Sequence, residues 1–249
     1  MSTGVQTQVG QFIWHDLLTS DVERATRFYT ELLGWEVAPW KPGEIDYPII
    51  SSNGVMHGGF GVADDGSPHW IGHAVVEDVE EAAANAKLAG GTIRGEPGGH
   101  PEVGSWVTIV DPHGATISAF KPNYDSPAPS GVFVWDELVT LDAEGAKGFY
   151  GAVFGWTAEA MEMGETGVYT VFKKEDGESV AGMMEKRGDE RGPAVWMPYL
   201  GADDVDARVA KATELGAQTL VEPMQIESVG RFAVLTDPTG AAFGLHKDV

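Results

Sequence analysis

Asp16 and Glu137 occupy matching places in two versions of one phrase. FIWHDLLTSDVERATRFYTELLGW spans residues 12–35, and FVWDELVTLDAEGAKGFYGAVFGW follows 121 positions later, from Phe133. A carboxylate held in a cleft is a candidate general base, or an acceptor for a substrate hydroxyl or amine. The plainer reading is a structural acid bonded to backbone amides or to Arg94 or Arg231. His73 is a second candidate, as proton shuttle or metal ligand. Its counterpart in the second half is Tyr199, which cannot shuttle protons near neutral pH, so a hydrogen-bonded core histidine competes with that role. His57, in MHGGFG, could join Asp16 and His73 in a mixed His/Asp metal site. No Ser-His-Asp pattern, phosphate loop or dinucleotide fingerprint is present.

The elements that must carry these residues come from repetition. HWIGHAVVEDVEEAAANAKLAGGT from His69 matches VWMPYLGADDVDARVAKATELGAQT from Val195, and DPHGA at 111–115 matches DPTGA at 237–241. Four similar units therefore follow one another, beginning near 12, 70, 133 and 196. Each opens with a short β-run such as Phe12–Leu18 or Trp70–Val76. A helix follows, with Val22, Ala25, Phe28 and Leu32 at helical spacing and Ser20–Glu23 reading as a capping box. Gly34 is placed to end that helix. In the fourth unit Asp204 precedes the helix of Val205, Val209, Ala212 and Leu215. Further strands follow, and Asp-Pro-x-Gly closes a tight turn before the last one in the second and fourth units. The pattern is βαβββ, four times. A sheet with a helix on one face stays wet on the other until a second unit meets it, so paired units should enclose a cleft lined by strand residues.

The S/T-x-D, Phe-Tyr and LGW/FGW run, the Gly-Gly or Gly-Ala after the second helix and the DPxG turn together resemble the vicinal oxygen chelate superfamily. That group includes glyoxalase I, bleomycin-resistance proteins, fosfomycin-resistance enzymes and extradiol dioxygenases. The two-domain form resembles the tandem glyoxalase-like proteins of actinobacteria, mycobacterial antigens among them. The resemblance implies an α+β fold: four βαβββ modules forming two glyoxalase-like domains with curved mixed sheets. The expected domains are 10–121 and 131–249, joined by a linker at 122–130.

The resemblance also implies places for a divalent-metal set. They fall on Trp14, Ile71 and Ser118 in the first half and on Trp135, Met197 and Gly244 in the second. Trp, Ile, Met and Gly do not bind a hard or borderline divalent ion. No cofactor is therefore the leading expectation, with a divalent metal the alternative. If Trp14 faces the cleft, strand alternation turns Phe12, Asp16 and Leu18 the same way and His15 the other. The same parity turns Trp135 and Glu137 inward and Asp136 away. His73 and Tyr199, Ser118 and Phe120, and His246 join the lining, with Met183 an adaptable filler of the second cleft.

Composition excludes several classes. There are no cysteines, and the net charge is −22 over 249 residues, which disfavours nucleic acid and anionic membrane surfaces. No apolar run is long enough to cross a bilayer, and the first residues lack the basic and apolar regions of a signal peptide. A cytoplasmic monomer or homodimer with a small-molecule ligand is expected. Two functions compete at this level. One is a binder of an aromatic or heterocyclic compound. The other is a lyase, isomerase or hydroxylase-type enzyme using Asp16/His73 or Glu137/Tyr199. The sequence also leaves open which units pack against which.

Overall fold

The structure, a computed structural model, describes residues 9–41, 47–63, 66–124, 131–163, 167–186, 192–227 and 229–249. The segment 125–130, most of the expected linker, lies outside the described residues.

Each of the four units folds as βαβββ. The first is β1 (Phe12–Thr19), α1 (Val22–Leu33), β2 (Glu36–Trp40), β3 (Tyr47–Ser52) and β4 (Val55–Val62). The second is β5 (His69–Val75), α2 (Val79–Leu88), β6 (Thr92–His100), β7 (Gly104–Val110) and β8 (Thr116–Pro122). The third is β9 (Phe133–Thr140), α3 (Ala143–Phe154), β10 (Thr157–Glu162), β11 (Val168–Lys173) and β12 (Ser179–Glu185). The fourth is β13 (Val195–Gly201), α4 (Val205–Glu214), β14 (Gln218–Ile226), β15 (Gly230–Thr236) and β16 (Ala242–Lys247). The strands form two mixed eight-stranded sheets, ordered β2-β3-β4-β1-β5-β8-β7-β6 and β10-β11-β12-β9-β13-β16-β15-β14.

Local chemistry explains the helices. Helix α1 buries Ala25, Phe28, Tyr29 and Leu32, a stripe at i, i+3, i+4 and i+7. Each large side chain on it contributes roughly 1.5–3 kcal/mol by leaving water. Its N-cap is Asp21, which accepts from the Arg24 N–H, and not Ser20 as the capping-box reading expects. The carboxylate reaches the third amide of the turn, as Asp142 and Asp204 do at α3 and α4. Gly34 and Gly155 end α1 and α3 in the left-handed region, at φ 71° and 69°, which only glycine enters without strain.

The sheets follow the two halves of the sequence, whereas compact packing follows a different division. One unit comprises Met1–Ile13, Gly72–Ala128 and Trp135–Trp196; the other comprises Trp14–Ile71, Pro129–Val134 and Met197–Val249. Second and third modules thus share a core, as do first and fourth. The first of these cores gathers Val107, Ile109, Ile117, Phe149, Tyr150 and Trp196. The second gathers Phe28, Tyr29, Trp70, Val205, Leu235 and Phe243.

One polar device recurs at the heart of each core. The Asp of the DPxG turn uses one oxygen for turn amides and the other for a buried tyrosine. Asp111 accepts from the N–H groups of His113 (2.8 Å) and Ala115 (2.9 Å), and Tyr150 donates to its Oδ2 at 3.0 Å. Tyr150 in turn accepts from Trp196 Nε1 at 2.8 Å. In the other unit Tyr29 donates to Asp237 Oδ2 at 3.1 Å. Burial, reinforced by the neighbouring aspartate charge, raises both tyrosine pKa values well above the ordinary value. The repeated Phe-Tyr and DPxG motifs therefore find each other across modules, and their role is to lock the core.

Candidate functional site

The site is built from β1 outward. Trp14, Asp16 and Leu18 are half-buried on one face of the strand, and His15, Leu17 and Thr19 are buried on the other. Trp14 Nε1 donates to Asp16 Oδ1 at 2.9 Å and lies 2.8 Å from the Tyr47 hydroxyl. Tyr47 donates in turn to Asp16 Oδ1. The tyrosine starts β3 and reaches Asp16 over Gly59, the residue that pairs with Asp16 on β4. A Cβ on Gly59 would overlap the tyrosine ring, so the glycine is what lets the ring lie flat on the sheet.

The other unit repeats the arrangement. Trp135 Nε1 donates to the Tyr169 hydroxyl at 2.9 Å, and Tyr169 donates to Glu137 Oε2 at 2.9 Å. Gly182 pairs with Glu137 beneath the Tyr169 ring. The direction of the chain is forced. An indole N–H only donates, so the tyrosine oxygen accepts from it and spends its single proton on the carboxylate. Burial, with Glu137's charge second, raises the Tyr169 pKa, so its proton stays in place. Each relay ends on a carboxylate acting as acceptor. Glu137 is buried (6% exposed) and Asp16 is more open.

Tyr47 and Tyr169, with Gly59 and Gly182, are absent from the candidates named by sequence. The signal was available in the repeat: a tyrosine opens or nearly opens the third strand in both halves, and a glycine stands twelve or thirteen residues on. It is weak because tyrosine at a strand start is common in any sheet.

The remaining candidates separate by unit. In the unit that holds Glu137, His73 pairs with Ser118 across β5 and β8, and Phe120 stands edge-on to His73 with centroids 6.0 Å apart. Ser118 is fully buried and its hydroxyl has no hydrogen-bond partner. An orphaned buried hydroxyl carries a desolvation penalty, so Ser118→Ala is expected to stabilise the apo protein by up to about 1 kcal/mol, read by urea unfolding. A loss of stability would contradict the assignment. In the unit that holds Asp16, the Tyr199 ring lies over Gly244 and packs edge-on near Phe232 (6.3 Å) and His246 (6.4 Å). His246 Nε2 sits 3.1 Å from the Val229 carbonyl, and its Nδ1 is 3.6 Å from Asp248.

Two expected lining residues are core residues. Phe12 is buried between Trp156 and Trp196, each 5.6 Å away, and rests against Gly72. Phe12 and Ile13 pack with the unit that holds Glu137, and β1 changes partners just after them. Met183 is also buried, in the same core. It pairs with Leu138, one step out of phase with Glu137, so alternation turns it inward to the helix side.

His15 and Asp136 do lie on the face opposite the acids, and that face is buried. His15 stacks on Phe133 at 3.9 Å and 7°. His57 is buried, and burial is the main cause that lowers its pKa. Among the described residues no three His, Asp or Glu side chains gather as a metal set, so His57, His73 and Asp16 do not form one there. Arg231 is committed to Asp206 by paired hydrogen bonds and does not serve either acid.

Comparison with known proteins places both halves in one group. Residues 9–118 match the family model described as the Glyoxalase/Bleomycin resistance protein/Dioxygenase superfamily, and residues 133–246 match a glyoxalase-like domain model. The protein named "Putative glyoxylase CFP32" of Mycobacterium tuberculosis (strain CDC 1551 / Oshkosh) is 35% identical over 245 residues, covering 94% of this chain and 93% of the relative. The anthracycline biosynthesis protein DnrV of Streptomyces peucetius is 33% identical over 130 residues, 47% of each chain. Among solved structures, the 2,2',3-trihydroxybiphenyl 1,2-dioxygenase of Sphingomonas wittichii strain RW1 superposes with a TM-score of 0.67 at 14% identity. The match covers 96% of this chain and 90% of the dioxygenase.

Proposed function

The chain belongs to the glyoxalase/bleomycin resistance/dioxygenase superfamily, and on that premise we propose that it binds a small aromatic or heterocyclic molecule at its Trp–Tyr–carboxylate triads. The observation that carries the reading is the triad itself, built twice from corresponding strands: Trp14–Tyr47–Asp16 and Trp135–Tyr169–Glu137. Half-buried indole and phenol rings offer flat apolar area, and a carboxylate at their edge offers orientation.

The donor chemistry at the family's metal places supports a site that works without a divalent ion. The first-strand place in each half is an indole whose N–H is occupied with the tyrosine. Ile71 and Met197 are buried at the second, and at the last Gly244 is covered by Tyr199. Ser118, at the last place of the first half, offers a single neutral hydroxyl, so the set does not fit a hard cation, which needs several oxygen or imidazole donors. The charge of −22 supports a small-molecule partner over nucleic acid or an anionic membrane surface. No helix among the described residues is long and apolar enough to cross a membrane.

The test is a calorimetric and tryptophan-fluorescence titration of metal-stripped protein with fused-ring aromatic probes. Binding at micromolar to low-millimolar concentration, weakened at least about tenfold by Trp14→Ala or Trp135→Ala, is the expected result. Binding that appears only after adding Zn, Mn, Ni or Fe(II) would overturn the metal-free reading.

A further inference from the structure

We infer that the ligand group received at the Asp16 triad is a cation, an aliphatic or ring ammonium carried next to the aromatic body. The inference rests on the binding reading above and deepens it. Two independent features of the same unit point to it.

The first is charge. Trp14 and Tyr47 both donate to Asp16 Oδ1. A neutral carboxylic acid has to spend its own proton as a donor, whereas an ionised one only accepts. Two donors converging on one oxygen suit the ionised form, and the group they hold at the face of the sheet is an anion.

The second is the ring set around that anion. Trp14 and Tyr47 flank it, and Trp40, which pairs with Tyr47 across β2 and β3, stands edge-on to Tyr47 with centroids 6.0 Å apart. All three rings are half-buried. An ammonium at the carboxylate gains a charge-assisted hydrogen bond, and half-buried rings beside it add a cation–π attraction to any cation that reaches their open faces. A carboxylate or phosphate on the ligand would instead face like charge. The Glu137 copy lacks the third ring: Met161 stands opposite Tyr169 where Trp40 stands opposite Tyr47. The two triads are thus differentiated, and the cation belongs to the one at Asp16.

Three probes with one ring system separate the possibilities: 2-naphthylmethylamine, 2-naphthalenemethanol and 2-naphthoate. Each is titrated calorimetrically, at near-physiological salt, into the wild-type protein, Asp16→Asn and Glu137→Gln. Both substitutions keep an oxygen that can accept from the tyrosine. The expected result is that the amine binds the wild type at least about tenfold more tightly than the alcohol or the carboxylate. That preference should shrink to about twofold or less in Asp16→Asn and persist in Glu137→Gln. If the alcohol or carboxylate binds as well as the amine, the cation inference falls while the aromatic reading stands. Should the preference survive in Asp16→Asn, it arises elsewhere on this acidic protein, and the inference falls in the same way. If none of the three probes binds, the aromatic reading falls together with it.

Discussion

Replacing Asp237 with alanine is expected to destabilise the protein by at least about 3 kcal/mol. Asp237 Oδ1 accepts from the N–H groups of Thr239 (2.7 Å), Gly240 (2.8 Å) and Ala241 (3.2 Å), and from the Thr239 hydroxyl at 2.7 Å. Its Oδ2 accepts from Tyr29, whose side chain is completely buried. Alanine removes every one of these acceptors at once. The turn amides can recover water in part, but the Tyr29 hydroxyl cannot. Each buried polar group left without a partner costs about 1–3 kcal/mol. At roughly 2–4 °C per kcal/mol for a chain of this size, the melting midpoint should fall by about 6–12 °C. Asp237→Asn keeps the oxygen that serves the turn and can still place an amide against Tyr29, so it should lose less than half as much. A drop of under about 1 kcal/mol for the alanine variant would show that the Tyr29–Asp237 pair is not what locks this core.

Gly182→Ala is expected to dismantle the second triad. A Cβ at Gly182 would overlap the Tyr169 hydroxyl and stand 2.7 Å from Trp135 Nε1, so the tyrosine ring must leave the sheet. Overpacking of this kind costs about 1–3 kcal/mol. The sharper readout is titration. In the wild type, burial and the Glu137 charge hold the Tyr169 pKa well above its ordinary value of 10.0. Once displaced from both, the phenol should ionise near that ordinary value, adding one tyrosine to the group that titrates there by ultraviolet difference spectroscopy. Gly59→Ala should disturb Tyr47 by the same overlap in the first triad. An unchanged alkaline titration of Gly182→Ala would mean that Tyr169 does not depend on the glycine beneath it.

Much of the architecture was legible in the chain because it is written twice. Strand parity along Phe12–Thr19 correctly separated Trp14 and Asp16 from His15, since alternation is a property of the pleat and needs no partner. Parity did not extend to Phe12. Its side chain answers to Trp156 and Trp196, residues more than a hundred positions away, and β1 passes from one packing unit to the other after Ile13. That an acid stands two residues after Trp14 and Trp135 alike was readable from the repetition. The partners of these acids were not, because a phenol reaching across an intervening strand has no spacing rule in the sequence.

The sequence by itself therefore determined the βαβββ unit, its fourfold use, the caps at Gly34 and Asp204, and the pairing of each Trp with an acid two residues on. These follow from local periodicity, turn chemistry and internal repetition, which adjacent residues dictate. Only the tertiary structure decided which modules share a core. The apolar stripe of α1 is equally suited to any helix of the set, and the choice is made by long-range partners such as Tyr29 with Asp237 and Tyr150 with Asp111. It also decided that the carboxylates end relays of donors, because strand register alone brings Tyr47 over Gly59 onto Asp16 and Tyr169 over Gly182 onto Glu137.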